Sequence, residues 1–212
     1  MAWRKRRTCK YILNEQKIQD YFNVLKNMSN DDIIKNHNEI KYFNGCNFDV
    51  NIPMACGTSA NAVMNISLKF FNKEQSNILA TSDINLVLEL LKQNRYAPRI
   101  ILYKICVNSL DDDFIGHSFV IIKLPNHEYT IVQSYIGKYS LFDWLTTNNF
   151  TLISYKKIVN IIKRLIIFNQ NGLIDNSFLK LWKEITNVDY ENPNFTKKYI
   201  IYFYTDILFY DI

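Results

Sequence analysis

The sequence has little glycine, little proline and no long apolar run. Five glycines and four prolines occur among 212 residues, and no Gly-, Pro- or Ser-rich linker divides the chain. We therefore predict a single domain over residues 1–212, with a flexible basic N-terminus at residues 1–13. No apolar stretch approaches the roughly 20 residues that span a bilayer. The basic N-terminus is followed by no apolar h-region, so no secretory signal is expected either.

Cysteine is also scarce, since the chain carries only Cys9, Cys46, Cys56 and Cys106. Four cysteines do not make a disulfide scaffold, so we predict reduced thiols and a cytoplasmic location, the host cytoplasm if the protein is viral or an effector. Cys46, Cys56 and His37 lack the close ligand spacing of a structural zinc site, and we expect no metal. Gly-rich phosphate-binding strings are absent, and we expect no cofactor.

Charge and composition narrow the class of partner. The net charge is +5, with 48% hydrophobic and 15% aromatic residues, which is enough apolar material for a packed core. Basic residues are spread along the chain, apart from residues 4–7 and 156–164, whereas nucleic-acid binders concentrate them on one face. We predict a protein or peptide as the partner and no nucleic acid. The sequence carries no indication of oligomeric state.

Hydrophobic periodicity divides the chain into helices, then strands, then mixed elements, which is typical of an α+β domain. Residues 29–55 are polar and are predicted to be irregular, and Pro125, Asn126 and His127 form a hairpin turn between two strands. The predicted helices cover residues 14–27, 56–71, a segment starting at Ser82, 141–147, 155–168 and 176–187, and the predicted strands cover 99–107, 118–124, 129–136 and 198–209.

Cys56 is the candidate nucleophile. It opens the string CGTSANAVM, in which small residues lead into an apolar period, so a helix is predicted to begin at or just after it. A helix N-terminus and a nearby imidazolium are the usual means of stabilising a thiolate. Gly57 leaves room for a substrate beside the sulfur. The other three cysteines are predicted to be inert, as most buried free thiols are.

His117 and Gln133 complete a candidate triad. His117 follows a polar loop and opens the apolar strand SFVIIKL, where a side chain faces a cleft more readily than a core. His37 and His127 lie in polar segments, where we expect solvent. The predicted hairpin brings the start of one strand beside the end of the next, so Gln133 is expected to accept a hydrogen bond from the His117 ring and orient it.

A cysteine at a helix start, Gly-His opening a strand and an amide one hairpin later resemble the papain-like cysteine peptidase superfamily. The resemblance covers roughly residues 47–145 and implies a papain-like α+β fold, in which the nucleophile helix packs against a small antiparallel sheet with flanking helices. Gln133-Ser134-Tyr135 is similar to the family's Asn-Ser-Trp, which implies that Tyr135 shields the His–amide bond. Asp143 is the alternative third member of the triad.

The oxyanion-hole glutamine of that family is missing, because Val50 stands at the expected position. Asn51 or Asn47 is the candidate side-chain donor, beside the backbone N–H of Cys56. Residues 56–63, APRIILY and GHSFVI are similar to transglutaminase-like domains. The Cys-His-Gln order and VQSYIGKYSLFDWL resemble effector glutamine deamidases, including the cycle-inhibiting-factor group.

We therefore expect a cysteine-nucleophile hydrolase or acyltransferase, first of all a cysteine protease. The alternatives are a glutamine deamidase, a transglutaminase-like effector and a catalytically inactive binding module of the same fold.

Overall fold

The computed structural model describes residues 15–39, 56–74, 79–81, 83–109, 117–133, 152–171, 180–181, 183–184 and 199–209. The helices named here are α1 (Glu15–Lys26), α2 (Asn30–Asn38), α3 (Cys56–Phe70), α4 (Ile84–Gln93) and α5 (Tyr155–Asn171). The strands are β1 (Leu79–Thr81), β2 (Arg99–Ser109), β3 (His117–Lys123), β4 (Tyr129–Val132) and β5 (Tyr199–Phe209).

The five strands form one antiparallel sheet in the order β1-β5-β2-β3-β4. β2 and β3 are paired from Ile101 with Lys123 to Val107 with His117. The predicted hairpin between β3 and β4 is present, since residues 125–127 form the turn between the two strands. The last strand, β5, pairs with both β1 and β2. Because of this insertion, β2 becomes the central strand of the sheet.

Two separate cores cover the two faces of the sheet. Helices α1 to α3 pack on one face and α4 and α5 on the other. Alternate residues of β2 supply both cores, because successive side chains of a strand point to opposite faces. The face toward α3 carries Ile100, Leu102 and Cys106, and the face toward α4 and α5 carries Ile101, Tyr103 and Ile105. The predicted α+β class, with a cysteine-led helix on an antiparallel sheet and flanking helices, is confirmed.

Several predicted elements are confirmed and others are corrected. The helices expected near residues 14–27 and 155–168 and the strand near 198–209 are present. The helix expected from Ser82 begins at Ile84, with Asp83 as its N-cap. The prediction of an irregular segment over 29–55 is wrong for α2, which begins after a capping box formed by Ser29 and Asp32. Strand β1 was not predicted, and the helix expected at 141–147 lies outside the described residues.

Helix α3 is the central element of the larger core. All of its residues from Gly57 to Leu68 are buried, because the sheet covers one side and α1 and α2 cover others. A hydrogen bond between the Tyr21 hydroxyl and Ser67 Oγ ties α1 to α3 within this core. The buried polar side chains of α3 need partners inside the core, and Ser67 has them, since its hydroxyl also donates to the Val63 carbonyl.

The burial of α3 predicts a large stability loss when one of its inner side chains is truncated. Met64 is fully buried, so Met64→Ala should lower the free energy of unfolding by about 2–5 kcal/mol, as cavity-forming changes do. Urea unfolding measures this loss. Val24→Ala is the control, because Val24 is 41% exposed and its truncation should cost much less. Equal losses in the two variants would contradict the described packing of α3.

Candidate active site

The thiol of Cys56 lies where helix α3 meets strand β3. Cys56 is the first residue of α3 and is partly exposed, whereas the residues that follow it are buried. Its thiol accepts backbone hydrogen bonds from Gly57, in the first turn of α3, and from Ser118, the second residue of β3. The contact with Ser118 joins the N-terminal end of the helix directly to the beginning of the strand.

His117 precedes Ser118 in the chain and opens β3, where its Cα pairs with that of Val107 on β2. The backbone of His117 is therefore covalently adjacent to the N–H group that binds the Cys56 thiol. The backbones of two residues 61 positions apart in the sequence therefore lie at the same end of the α3–β3 contact. That the His117 imidazole reaches the thiol stays a prediction.

Gln133 directly follows β4 and is buried, with 4% of its surface exposed. The register of the β3–β4 hairpin pairs Val120 with Val132. Continuing that register by one residue brings Gln133 level with Phe119, two positions along β3 from His117. The hairpin on which the expected His117–Gln133 hydrogen bond depends is present, and the bond itself stays a prediction. The remaining sequence candidates, Asn47, Asn51, Tyr135 and Asp143, lie outside the described residues.

Burial raises the pKa of the Cys56 thiol above its ordinary value. A thiolate is poorly solvated in apolar surroundings, and this effect outweighs the opposing ones. The opposing effects are the backbone hydrogen bonds from Ser118 and Gly57 and the positive charge of Lys104. The N-terminus of α3 thus favours the thiolate, as predicted, but does not by itself offset the burial of the sulfur.

Sequence reasoning missed a buried polar chain behind the thiol. Lys104, on the central strand β2, is fully buried, and its Nζ donates to Asn61 Oδ1 of α3 at 2.6 Å. Asn61 Nδ2 lies 3.0 Å from His37 Nδ1 of α2. The prediction that His37 faces solvent is therefore wrong, since it is partly buried against α3. Burial lowers the pKa of Lys104 to about 7, and the nearby Cys56 opposes this shift.

The cysteines differ in their redox state. Cys56 is a free cysteine, as predicted, whereas the prediction of reduced thiols is wrong for Cys106, which is buried in β2 and disulfide-bonded. Cys9 and Cys46 lie outside the described residues. Within the described ranges, no group of three or more His, Cys, Asp or Glu residues is arranged to hold a metal ion. No helix in those ranges is long and apolar enough to cross a membrane.

Comparisons with known proteins identify one relevant fold. No protein-family model matches the sequence, and no curated protein sequence is significantly similar to it. Among solved structures, the chain is similar to CHBP, the Cif homologue from Burkholderia pseudomallei, with a TM-score of 0.50 over 92% of each chain and 14% sequence identity. The fold is papain-like. At so low an identity the structural similarity shows the fold alone, and the chemistry has to be argued from the residues of this chain.

The buried lysines predict an unusual dependence of stability on pH. The pKa of Lys104 is about 7 in the folded protein, well below the value of about 10.4 expected when the chain is unfolded. Between these values the unfolded chain binds more protons, so stability rises with pH, by up to about 1.4 kcal/mol per unit for one lysine. We expect urea unfolding of the wild type to show this rise between pH 7 and 8.5.

Lys104→Met should flatten this rise by removing the group that loses its proton on folding. Lys123→Met is a second variant that should act in the same way. Lys123 is also fully buried, on β3, and burial lowers its pKa to about 8. Each variant should remove part of the slope. A slope that is the same in the wild type and in both variants would show that neither lysine loses its proton on folding.

Proposed function

We propose that this protein is a cysteine-nucleophile amide hydrolase or acyltransferase. Cys56 is the nucleophile, His117 the general base and acid, and Gln133 the residue that orients the imidazole. The observation that carries the proposal is the hydrogen bond from the backbone of Ser118 to the Cys56 thiol. This bond holds the candidate nucleophile against the first residues of the strand that begins with His117.

The reaction follows from these roles. The Cys56 thiol gives its proton to the His117 imidazole, and the sulfur attacks the carbonyl carbon of an amide. Backbone N–H groups at the start of α3 stabilise the oxyanion, with Asn51 or Asn47 as candidate side-chain donor. The imidazolium then protonates the leaving nitrogen, which departs as ammonia or an amine and leaves a thioester. Water hydrolyses the thioester, or a second amine takes up the acyl group.

Within this class, we propose the side-chain amide of a protein glutamine as the substrate group. Two observations favour deamidation over peptide hydrolysis. The third candidate member of the triad is a glutamine, the order found in the effector deamidases that the sequence resembles. The fold is shared with a Cif homologue over nearly the whole chain. Cleavage of peptide bonds, the first expectation from the sequence, is the alternative outcome of the same experiment.

Intact-mass analysis of candidate partner proteins tests this proposal. After incubation with the wild type, deamidation adds about one dalton, crosslinking joins chains and proteolysis shortens them. We expect Cys56→Ala and His117→Ala each to lower the rate roughly a thousandfold or more, since each removes a reacting group. His127→Asn is the control, because His127 is an exposed turn residue with φ 71°, a conformation that Asn tolerates. Full activity in either active-site variant would refute the proposal.

Gln133→Ala should be less damaging than loss of Cys56 or His117. An orienting residue keeps the imidazole in its productive tautomer and does not itself react. We expect a fall in kcat of roughly ten- to a hundredfold with little change in KM, measured on the substrate that the mass analysis identifies. A loss as large as that of Cys56→Ala, in a variant that unfolds at the same urea concentration as the wild type, would mean that the triad is misassigned and that Asp143 is the next candidate.

A further inference from the structure

A lysine occupies the centre of an apolar surface. Lys104 lies on β2 between Leu102 and Cys106, on the sheet face that packs against α3. It is fully buried, although lysine is almost never fully buried unless its charge is paired. The fold alone does not require a cation here, because replacing buried charges by apolar side chains of similar volume is often neutral or stabilising.

A chain of hydrogen bonds links the ammonium group of Lys104 to helix α3 and, through α3, to helix α2. Asn61 of α3 accepts from Nζ through Oδ1, and its Nδ2 is bonded to His37 Nδ1 of α2. Because an ammonium group can only donate, the amide oxygen of Asn61 faces Lys104 and its Nδ2 faces His37. Because Nδ1 then accepts a hydrogen bond, His37 is neutral with its proton on Nε2. The chain from β2 to α3 to α2 therefore holds Lys104 in one position.

Cys56 and Lys104 lie at the same interface between α3 and the sheet. Ser118, whose backbone binds the thiol, pairs with Cys106 and donates to its sulfur at 3.3 Å, and Cys106 is two residues from Lys104 on the same face of β2. Through this nearness the two groups act on each other electrostatically. The charge of Lys104 lowers the pKa of the Cys56 thiol, and the charge of Cys56 raises that of the Lys104 ammonium. The groups facing this pair from the packed elements are His37 on α2, Asn61 on α3 and the backbone of Ser118 on β3. In a buried site, such an interaction between charges is several times stronger than in water.

We propose that Lys104 is a positioning residue that supplies the positive charge opposite the Cys56 thiolate, and that Asn61 and His37 hold it in place. This inference rests on the proposed role of Cys56 as nucleophile. The N-terminus of α3 does not by itself offset the cost of burying a thiolate. The Lys104–Asn61–His37 chain supplies the remaining stabilisation. No bond forms or breaks at Lys104, since the proton of the thiol still passes to His117.

Lys123 shows what a buried lysine without this role looks like. Its Nζ donates to the backbone carbonyls of Ala97 and Arg99, and the charge that acts on it is that of Arg99. Both lysines are fully buried on neighbouring strands, so their removal disturbs the core in comparable ways. Lys123→Met is therefore the matched control for Lys104→Met.

Alkylation of Cys56 by iodoacetamide, followed by peptide mass analysis from pH 6 to 10, tests the proposal without needing a substrate. Lys104→Met should lower the alkylation rate at pH 7 about tenfold or more, which corresponds to a rise of at least one unit in the thiol pKa. The two rates should converge at high pH, where Lys104 is neutral in the wild type. Lys123→Met should leave the profile unchanged. An unaltered profile in Lys104→Met, or the same change in both variants, overturns the proposal.

A reciprocal measurement covers the case in which Lys104→Met does not fold. The side-chain titration of Lys104 is followed by NMR with ¹³C-labelled lysine in the wild type and in Cys56→Asp, with Lys123→Met to assign the second buried lysine. The thiol is protonated where Lys104 titrates, near pH 7, so the carboxylate of Cys56→Asp stands in for the thiolate. It should raise the titration midpoint of Lys104, and an unchanged midpoint overturns the proposal. Failure of the proposed function is distinguishable from failure of this proposal. If the wild type alters no amide substrate, the alkylation rate of Cys56 still depends on Lys104 and the titration midpoint of Lys104 still depends on residue 56.

Discussion

The packing of helix α3 against the sheet is the constraint on which the rest of the structure depends. The helix is buried from its second residue to Leu68, so its position is set by core contacts along most of its length. Its first residue, Cys56, remains partly exposed. One hydrophobic interface therefore fixes the larger core and also fixes where the thiol meets β3. Any displacement of α3 would move the sulfur away from the backbone of Ser118, which binds it.

The same interface contains two groups whose charged forms are costly to remove from water. The Lys104 ammonium is fully buried and the Cys56 thiol is largely shielded from water, so both lose hydration and each favours its neutral form. Their nearness reduces this penalty only when both are charged. Asn61 Oδ1 accepts one of the hydrogen bonds that the Lys104 ammonium can donate. The site thus keeps Lys104 in place before the thiolate forms, so no reorganisation is needed when it does.

Local patterns in the sequence were enough to predict the elements that carry the candidate triad. The start of α3, the β3–β4 hairpin and the position of His117 at a strand opening all follow from short strings of residues. The polar surface of α2 hid its helical period, although the capping box at Ser29 was a readable signal. β1 spans only three residues, and the insertion of β5 beside β2 depends on contacts distant in sequence, so neither had a local signal.

Lys104 shows where pattern reading fails at the site itself. The string RIILYKICV correctly predicted a strand, but periodicity treats its single lysine as an exception to an apolar pattern. Only the register and the packing of α3 show that this lysine is on the buried face and near Cys56. The departure from the apolar pattern was the available signal, because a sequence that breaks a local rule at a core position does so at a functional or strained site. Burial of Lys104 has two consequences. It lowers the stability of the folded protein, and it strengthens the electrostatic effect of the ammonium on the Cys56 thiol.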